Sequence, residues 1–173
     1  MKTRRVVYLS ILLSLAVVVN YLESLIPSFC IPGVRLGLTN IVILLILYNF
    51  SFGESFLITI LRVFLVGLIR GTLFQIPFFM SLCGAVLSVV VMFGLKKAKV
   101  FTEVGVSIGG AFFHVLGQII VAIVFMQTFS IIYYMPILLL TSLLTGIFVG
   151  IVVMKVRKKY FIIKEESEGY EQS

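Results

Sequence analysis

The sequence predicts an all-α integral membrane protein, a bundle of six transmembrane helices with both termini in the cytoplasm. Of its 173 residues, 61% are hydrophobic and 12% are charged, and the mean hydropathy is +1.21. Such a chain has too little polar surface to cover a soluble globule. Eleven of the fourteen Lys and Arg residues lie in three short clusters between long apolar stretches. The clusters are Lys2, Arg4 and Arg5; Lys96, Lys97 and Lys99; and Lys155, Arg157, Lys158, Lys159 and Lys164.

The length of the chain sets the number of spans. A membrane-spanning helix needs roughly 20 apolar residues, so 173 residues hold about six. The first apolar stretch is followed by no small-x-small cleavage site, and we interpret it as a retained helix rather than a signal peptide. We place the spans at about residues 6–26, 36–50, 55–75, 76–95, 104–127 and 133–154.

Local signals support these boundaries. A polar turn from Asn49 to Glu54 separates the second span from the third. Pro77 and Pro136 fall in the first turns of the fourth and sixth spans, where a missing N–H costs least. Residues 155–173 form a basic and then acidic cytoplasmic tail with no apolar periodicity, and we expect this tail to be disordered.

The basic clusters also predict the orientation. All three lie on one side of the membrane only if an even number of spans separates each pair. Four spans before the second cluster and two after it meet this condition. Cytoplasmic flanks of membrane helices are enriched in Lys and Arg, so this side is assigned to the cytoplasm. Cations at helix ends are expected to face lipid, and a nucleic-acid-binding surface is not expected.

The sequence argues against several kinds of catalysis. The chain contains no Asp, and its seven acidic residues are Glu23, Glu54, Glu103 and four in the tail. It therefore lacks the paired carboxylates that hold Mg²⁺ for diphosphate chemistry, and it has no phosphate-binding loop for ATP. His114 has no Asp partner, and Cys30 and Cys83 have no metal or redox spacing. We expect a protein that is not an enzyme and has no cofactor or metal site.

Polar residues inside the spans predict a small extracellular pocket. An ionisable side chain at the centre of a span costs roughly 2.5–3.5 kcal/mol, which favours burial in the bundle or beside a water-filled cavity. In the predicted topology Glu23, Arg35 and Arg70 converge at the outer side. The candidate substrate-binding residues are Asn20, Glu23, Ser24, Arg35, Asn40, Arg70, His114, Gln118 and Arg62. The arginines outnumber Glu23, which favours an anionic or zwitterionic substrate over a metal ion.

Three of these assignments have open alternatives. In the fifth span, Ser107, Gly110, His114, Gly117 and Gln118 form one stripe that faces protein, and it serves either ligand contact or close packing. Arg62 lies about 12 Å closer to the cytoplasm than Arg70. It forms the floor of the pocket, snorkels to the inner interface, or meets a partner subunit. Glu23 and Arg35 form either a purely structural ion pair that pins the loop between the first two helices or, as we favour, a pair that both closes this loop and contacts the ligand.

Several segments resemble a known family. They are YLESLIP at 21–27, PGVRLGLTN at 32–40, LRV at 61–63, GVSIGGAFFH at 105–114 and GQ at 117–118. Together they are similar to the Gx transporter family, also described as heptaprenyl diphosphate synthase component I. The resemblance covers residues 6–154. It extends to the substrate-binding S components of energy-coupling factor (ECF) transporters, which are six-helix proteins of the bacterial inner membrane.

This resemblance implies roles for two further segments. In S components, small residues on the cytoplasmic half of the first helix dock onto a transmembrane coupling subunit that is driven by two ATPases. By that likeness Ser10 and Ser14 form a docking face, with serines at positions usually held by alanine. Residues 27–36 then form a lid over a ligand beside Glu23, Arg35 and Asn40.

Three functions follow from these observations. The first is a substrate-specificity subunit that binds a small molecule outside the cell for ATP-driven uptake. The second is a noncatalytic membrane subunit associated with heptaprenyl diphosphate or isoprenoid synthesis. The third, a self-contained channel or secondary transporter, is disfavoured because no inverted repeat or paired broken helices are evident. Polar residues clustered at the outer side favour the first function, and distinctive residues at the inner side favour the second.

Overall fold

The computed structural model describes residues 2–25, 38–127, 132–133 and 135–170. The described residues are helical apart from short connections and contain no strand, which confirms the all-α prediction. The helices are α1 (Lys2–Leu25), α2 (Leu38–Asn49), α3 (Phe52–Ile69), α4 (Ile76–Ala98), α5 (Glu103–Met126) and α6 (Met135–Tyr170). All of them except the short α2 are long and apolar enough to cross a membrane. Six complete spans and the cytoplasmic location of the termini stay predictions.

Helix α2 is the centre of the bundle. It contacts every other helix, and α1, α3, α4, α5 and α6 form an arc around it in which neighbours touch. Among the described residues, α1 and α6 make no contact that would close this arc. Leu44, Ile46 and Leu47 of α2 are completely buried, which shows that the other helices surround this largely apolar helix.

Contacts between helix ends show that successive helices alternate in direction. Arg5 of α1 forms a 2.6 Å ion pair with Glu54 of α3, so these two helices begin at the same end of the bundle. Lys96 Nζ, near the end of α4, donates a 2.5 Å hydrogen bond to the Leu47 carbonyl near the end of α2.

Helices α5 and α6 complete this alternation. Arg157 of α6 pairs with Glu103 at the start of α5. The Arg5 guanidinium lies over the ring of Phe50. The side-chain cations of Lys96 and Arg157 both lie over the ring of Tyr48. The three basic clusters therefore meet at one end of the bundle, called here the basic end.

Helix α3 ends earlier than the predicted span 55–75. Its last helical residue is Ile69, and Gly71 follows with a left-handed backbone (φ 63°). The Thr72 N–H donates to the Gly67 carbonyl over 2.9 Å and the Gly71 N–H to the Leu68 carbonyl over 3.1 Å. This is the Schellman motif, in which glycine takes the left-handed position after a helix. Gly71 marks this helix end in the sequence, whereas the predicted boundary lies between residues 75 and 76, next to Pro77.

Helix α6 continues past the predicted end of the sixth span. It extends to Tyr170, so the structure has helix over 155–170 where we expected a disordered tail. Lys, Arg and Glu are good helix formers, and no Gly or Pro interrupts the chain between Gly150 and Gly169. The part of α6 suited to a membrane, Met135–Lys159, lies close to the predicted span.

Candidate functional site

A buried hydrogen bond joins α1 to α2 at the end opposite the basic end. Thr39 Oγ1 donates to Glu23 Oε2 over 2.9 Å, and these residues are 3% and 9% exposed. Asn20, one turn before Glu23 on α1, is 5% exposed. A carboxylate removed from water in an apolar bundle requires hydrogen-bonding partners, which the hydroxyl of Thr39 supplies in part. Two candidate residues, Asn20 and Glu23, thus lie in one buried polar group.

Thr39 was missed by the sequence analysis, which selected its neighbour Asn40. Thr39 shares a helical face with Ile43 and Ile46, both buried in the core, whereas Asn40 is half-buried. The spacing of apolar residues in α2 carried this signal, since positions three and four apart lie on one face. This spacing gives only a weak indication of the buried face, because α2 is apolar on nearly every side.

Some candidate residues lie outside the described part of the chain. Arg35 and the whole proposed lid, residues 27–36, fall in the undescribed segment 26–37. Ser24 belongs to α1, but its side chain is not described. Their roles stay predictions.

Arg62 is a buried cation within the membrane-spanning part of α3. It is 3% exposed and follows Ser55 and Thr59, which are buried on the same face of the helix. Their hydroxyls bond to carbonyls of their own helix, Ser55 to Ser51 and Thr59 to Ser55. Arg5 and Glu54 are in contact and so mark one level in the bundle. From that level, Arg62 lies about 12 Å along α3, and Glu23 lies about 27 Å along α1. Arg62 is therefore deeper in the bundle than the Glu23–Thr39 pair.

Arg70 lies at the same end as Glu23 but in a different setting. It is exposed at the end of α3 and lines a cleft between α3 and α4, together with Gly67, Thr72, Phe78 and Ser81. The cleft has a free volume of about 20 Å³, enough for about one water molecule. The described contacts associate Arg70 with this cleft.

His114 and Gln118 lie in the seam between α4 and α5. The Gln118 amide and the His114 ring are joined by a 3.3 Å hydrogen bond between their Nε2 atoms. Both side chains pack against Gly84 of α4, where an added Cβ would lie 2.6 Å from the His114 carbonyl oxygen. Gly117 faces the Gly84 backbone equally closely. The prediction that this stripe faces protein is confirmed, and its glycines allow close helix packing.

The candidate residues therefore fall into three groups. The described helices associate Asn20, Glu23 and Asn40 with the α1–α2 contact, Arg62 and Arg70 with α3, and His114 and Gln118 with the α4–α5 seam. Helix α5 packs along α4 and α6, and the described residues show no contact between α5 and α1. A ligand that touches all three groups has to span the bundle around α2.

The predicted docking residues lie on the outer surface of α1. Ser10 and Ser14 are exposed, and Ser14 Oγ donates to the Ser10 carbonyl over 3.0 Å. Large apolar side chains, including Val7, Ile11 and Val18, are exposed on the same helix. This surface suits either lipid or another membrane helix.

Within the described ranges, no three His, Cys, Asp or Glu side chains come together as a metal site. Cys83 is a free thiol, half-buried on α4.

Comparison with known proteins identifies the family. The sequence profile described as heptaprenyl diphosphate synthase component I matches residues 12–156. The chain belongs to this family. No curated protein and no solved structure matches the sequence.

The region matched by the component I profile covers all the candidate binding residues. It begins within α1, after Arg5 and Ser10, and ends within α6 at the start of the last basic cluster. The Glu23–Thr39 pair and the His114–Gln118 pair thus lie within the part that defines a component I protein. The family description names a component of a synthase.

Proposed function

We propose that this component I protein is a noncatalytic, substrate-binding subunit of a membrane complex. It captures a small molecule at the outer end of the bundle for uptake by a partner coupling subunit with two ATPases. The observation that carries this proposal is the buried group of Asn20, Glu23 and Thr39. Polar and ionisable side chains inside a membrane bundle are expensive, which favours a function for them beyond packing.

The orientation of the bundle supports capture from outside. The basic end carries the residues expected at the cytoplasmic face, and the Glu23–Thr39 pair lies at the other end. In this orientation the protein is a multi-pass protein of the bacterial cell membrane, and its buried carboxylate is reached from the extracellular side.

Charges near this end favour a zwitterionic or anionic small molecule. Glu23 offers an acceptor for a donor or cationic group of the ligand. Arg35, placed by sequence just before α2, and Arg70 at the end of α3 offer donors for a carboxylate or phosphate.

A second function is favoured by the family description. A noncatalytic membrane subunit of heptaprenyl diphosphate synthesis has a second synthase component as its partner, in place of ATPases. The comparisons support this function more directly than they support uptake. The absence of Asp from the chain supports a noncatalytic role in either case, because prenyl diphosphate chemistry requires carboxylate-bound Mg²⁺.

One experiment separates these functions. The tagged protein is purified in mild detergent, and mass spectrometry identifies both the co-purifying proteins and the extracted small molecules. We expect a coupling subunit with two ATPases and a bound small molecule. Recovery of a soluble prenyl synthase subunit, without ATPases, would establish the second function instead.

A matched pair of variants tests the binding group itself. Glu23→Gln removes the buried carboxylate, whereas Glu54→Gln removes a carboxylate paired with Arg5 at the basic end. We expect the bound small molecule to be lost from Glu23→Gln and kept by Glu54→Gln, with both variants inserted in the membrane. Equal retention of the molecule by both variants would contradict capture at Glu23.

A further inference from the structure

The basic end contains a cluster built around one aromatic ring. Lys96 Nζ lies 5.2 Å and Arg157 Cζ lies 4.3 Å from the centre of the Tyr48 ring. Tyr48 lies next to the end of the central helix α2, Lys96 lies near the end of α4, and Arg157 lies on α6. Two cations from separate basic clusters thereby lie over the ring of one half-buried residue beside the core.

Positive charge at this cluster exceeds the negative charge available to it. Glu103 pairs with Arg157, and Glu54, the other carboxylate among the described side chains at this end, pairs with Arg5. Lys96 bonds to a neutral carbonyl. Around the cluster, further lysines are exposed on the two flanking helices: Lys97, Lys99, Lys155, Lys158 and Lys159.

Apolar side chains are exposed beside these lysines. Val100 and Phe101 follow the α4 lysines and are 81% and 49% exposed, and Met154 and Val156 are exposed on α6. A surface that alternates exposed cations with exposed apolar groups fits the membrane interface, where phosphates and acyl chains meet. A water-soluble anion needs no such apolar margin.

We propose that this surface, formed by residues 96–101 and 154–159 around Tyr48, binds the headgroup of an anionic phospholipid. The lipid phosphate lies among the lysines at the end of α4 and on α6, and its acyl chains lie against the adjacent apolar residues. The bound lipid then holds α4 and α6 together over Tyr48. This binding is independent of whether the protein serves uptake or prenyl diphosphate synthesis.

Native mass spectrometry of the full chain tests the proposal. The detergent-purified protein is equilibrated with an equimolar mixture of phosphatidylglycerol and phosphatidylcholine, and the bound lipids are counted. We expect phosphatidylglycerol to be preferred, and the preference to fall about fivefold for each lysine lost. The test variant is K97Q/K99Q/K158Q, and its charge-preserving control is K97R/K99R/K158R.

The control should keep the preference, because charge rather than shape selects the headgroup. Added salt should weaken the preference in the unmodified protein, and this second measurement applies even if the glutamine variant fails to fold. Equal binding of the two lipids by the unmodified protein would overturn the proposal. A preference that is unchanged in the glutamine variant, or insensitive to salt, would overturn it as well.

Discussion

The Thr39 hydroxyl, at the start of α2, donates a hydrogen bond to the carboxylate of Glu23, near the end of α1. The two residues are 16 positions apart, and the chain between them includes the segment 26–37. The bond joins the described residues on either side of that segment, at one buried point.

Removing the Thr39 donor is expected to destabilise the protein. Thr39→Val keeps the shape of the side chain but leaves the Glu23 carboxylate with one hydrogen bond fewer. A hydrogen bond to a charged group contributes about 2 kcal/mol. We expect the free energy of unfolding, measured by titration with a denaturing detergent, to fall by about that amount.

Thr145→Val is the matched control for this change. The Thr145 hydroxyl bonds to the Ser142 carbonyl of its own helix. This variant should change the free energy of unfolding by less than about 0.5 kcal/mol. An equal decrease in the free energy of unfolding for both variants would show that the Thr39–Glu23 hydrogen bond stabilises the protein no more than the bond of Thr145 within its own helix.

The close approach of α4 and α5 predicts different outcomes for two glycines of α4. A Cβ at Gly84 would lie 2.6 Å from the backbone oxygen of His114, whereas a Cβ at Gly94 would meet nothing within 4 Å. Gly84→Ala should therefore push the helices apart and cost about 1–3 kcal/mol. Gly94→Ala should be neutral or slightly stabilising, because Ala is the better helix former.

The same denaturation titration measures both glycine variants. The NMR signal of the His114 ring offers a second readout, since only Gly84→Ala should shift it. A Gly84→Ala protein with unchanged stability and an unchanged signal would mean that α4 and α5 pack less closely than described.

Capture of an anionic or zwitterionic ligand should depend on the outer arginines. Arg35→Gln and Arg70→Gln each remove one charge at the proposed pocket, and each should reduce the amount of co-purified small molecule without preventing membrane insertion. Arg70 is exposed and lines a separate cleft, so we expect the smaller loss for Arg70→Gln. Unchanged recovery in both variants would remove the pocket proposal.

The orientation of the bundle is open to direct measurement. In a background with Cys30→Ala and Cys83→Ala, single cysteines are introduced as Gln75→Cys and Lys97→Cys, both at exposed positions at opposite ends. A membrane-impermeant maleimide should label the first in intact cells and the second only after the cells are opened. The reverse pattern would place the basic end outside.

Much of the fold was predictable because the membrane limits the choice of structure. Apolar length and basic flanks predicted the helices and the meeting of Arg5, Lys96 and Arg157 at one end. The end of α3 was misjudged because a Schellman turn at Gly71 preceded the more conspicuous Pro77. The helical tail was missed because charge suggested disorder, although the residues concerned favour helix.

The arrangement of the candidate site was less predictable. Sequence position indicates depth along a helix, so Glu23 and Arg70 were correctly expected at one end. It does not indicate which helices are neighbours, and the separation of His114 from α1 follows from the arc around α2. The Tyr48 cluster depends on side chains from three helices that are far apart in the sequence, and no local pattern marks it.

The central helix α2 is shorter than the helices around it. With 12 residues, α2 covers roughly 18 Å, whereas the hydrocarbon layer is about 30 Å thick. Its length is matched to only part of the barrier that the outer helices cross. The longer helices around α2 therefore enclose the rest of the hydrocarbon thickness at the centre of the bundle.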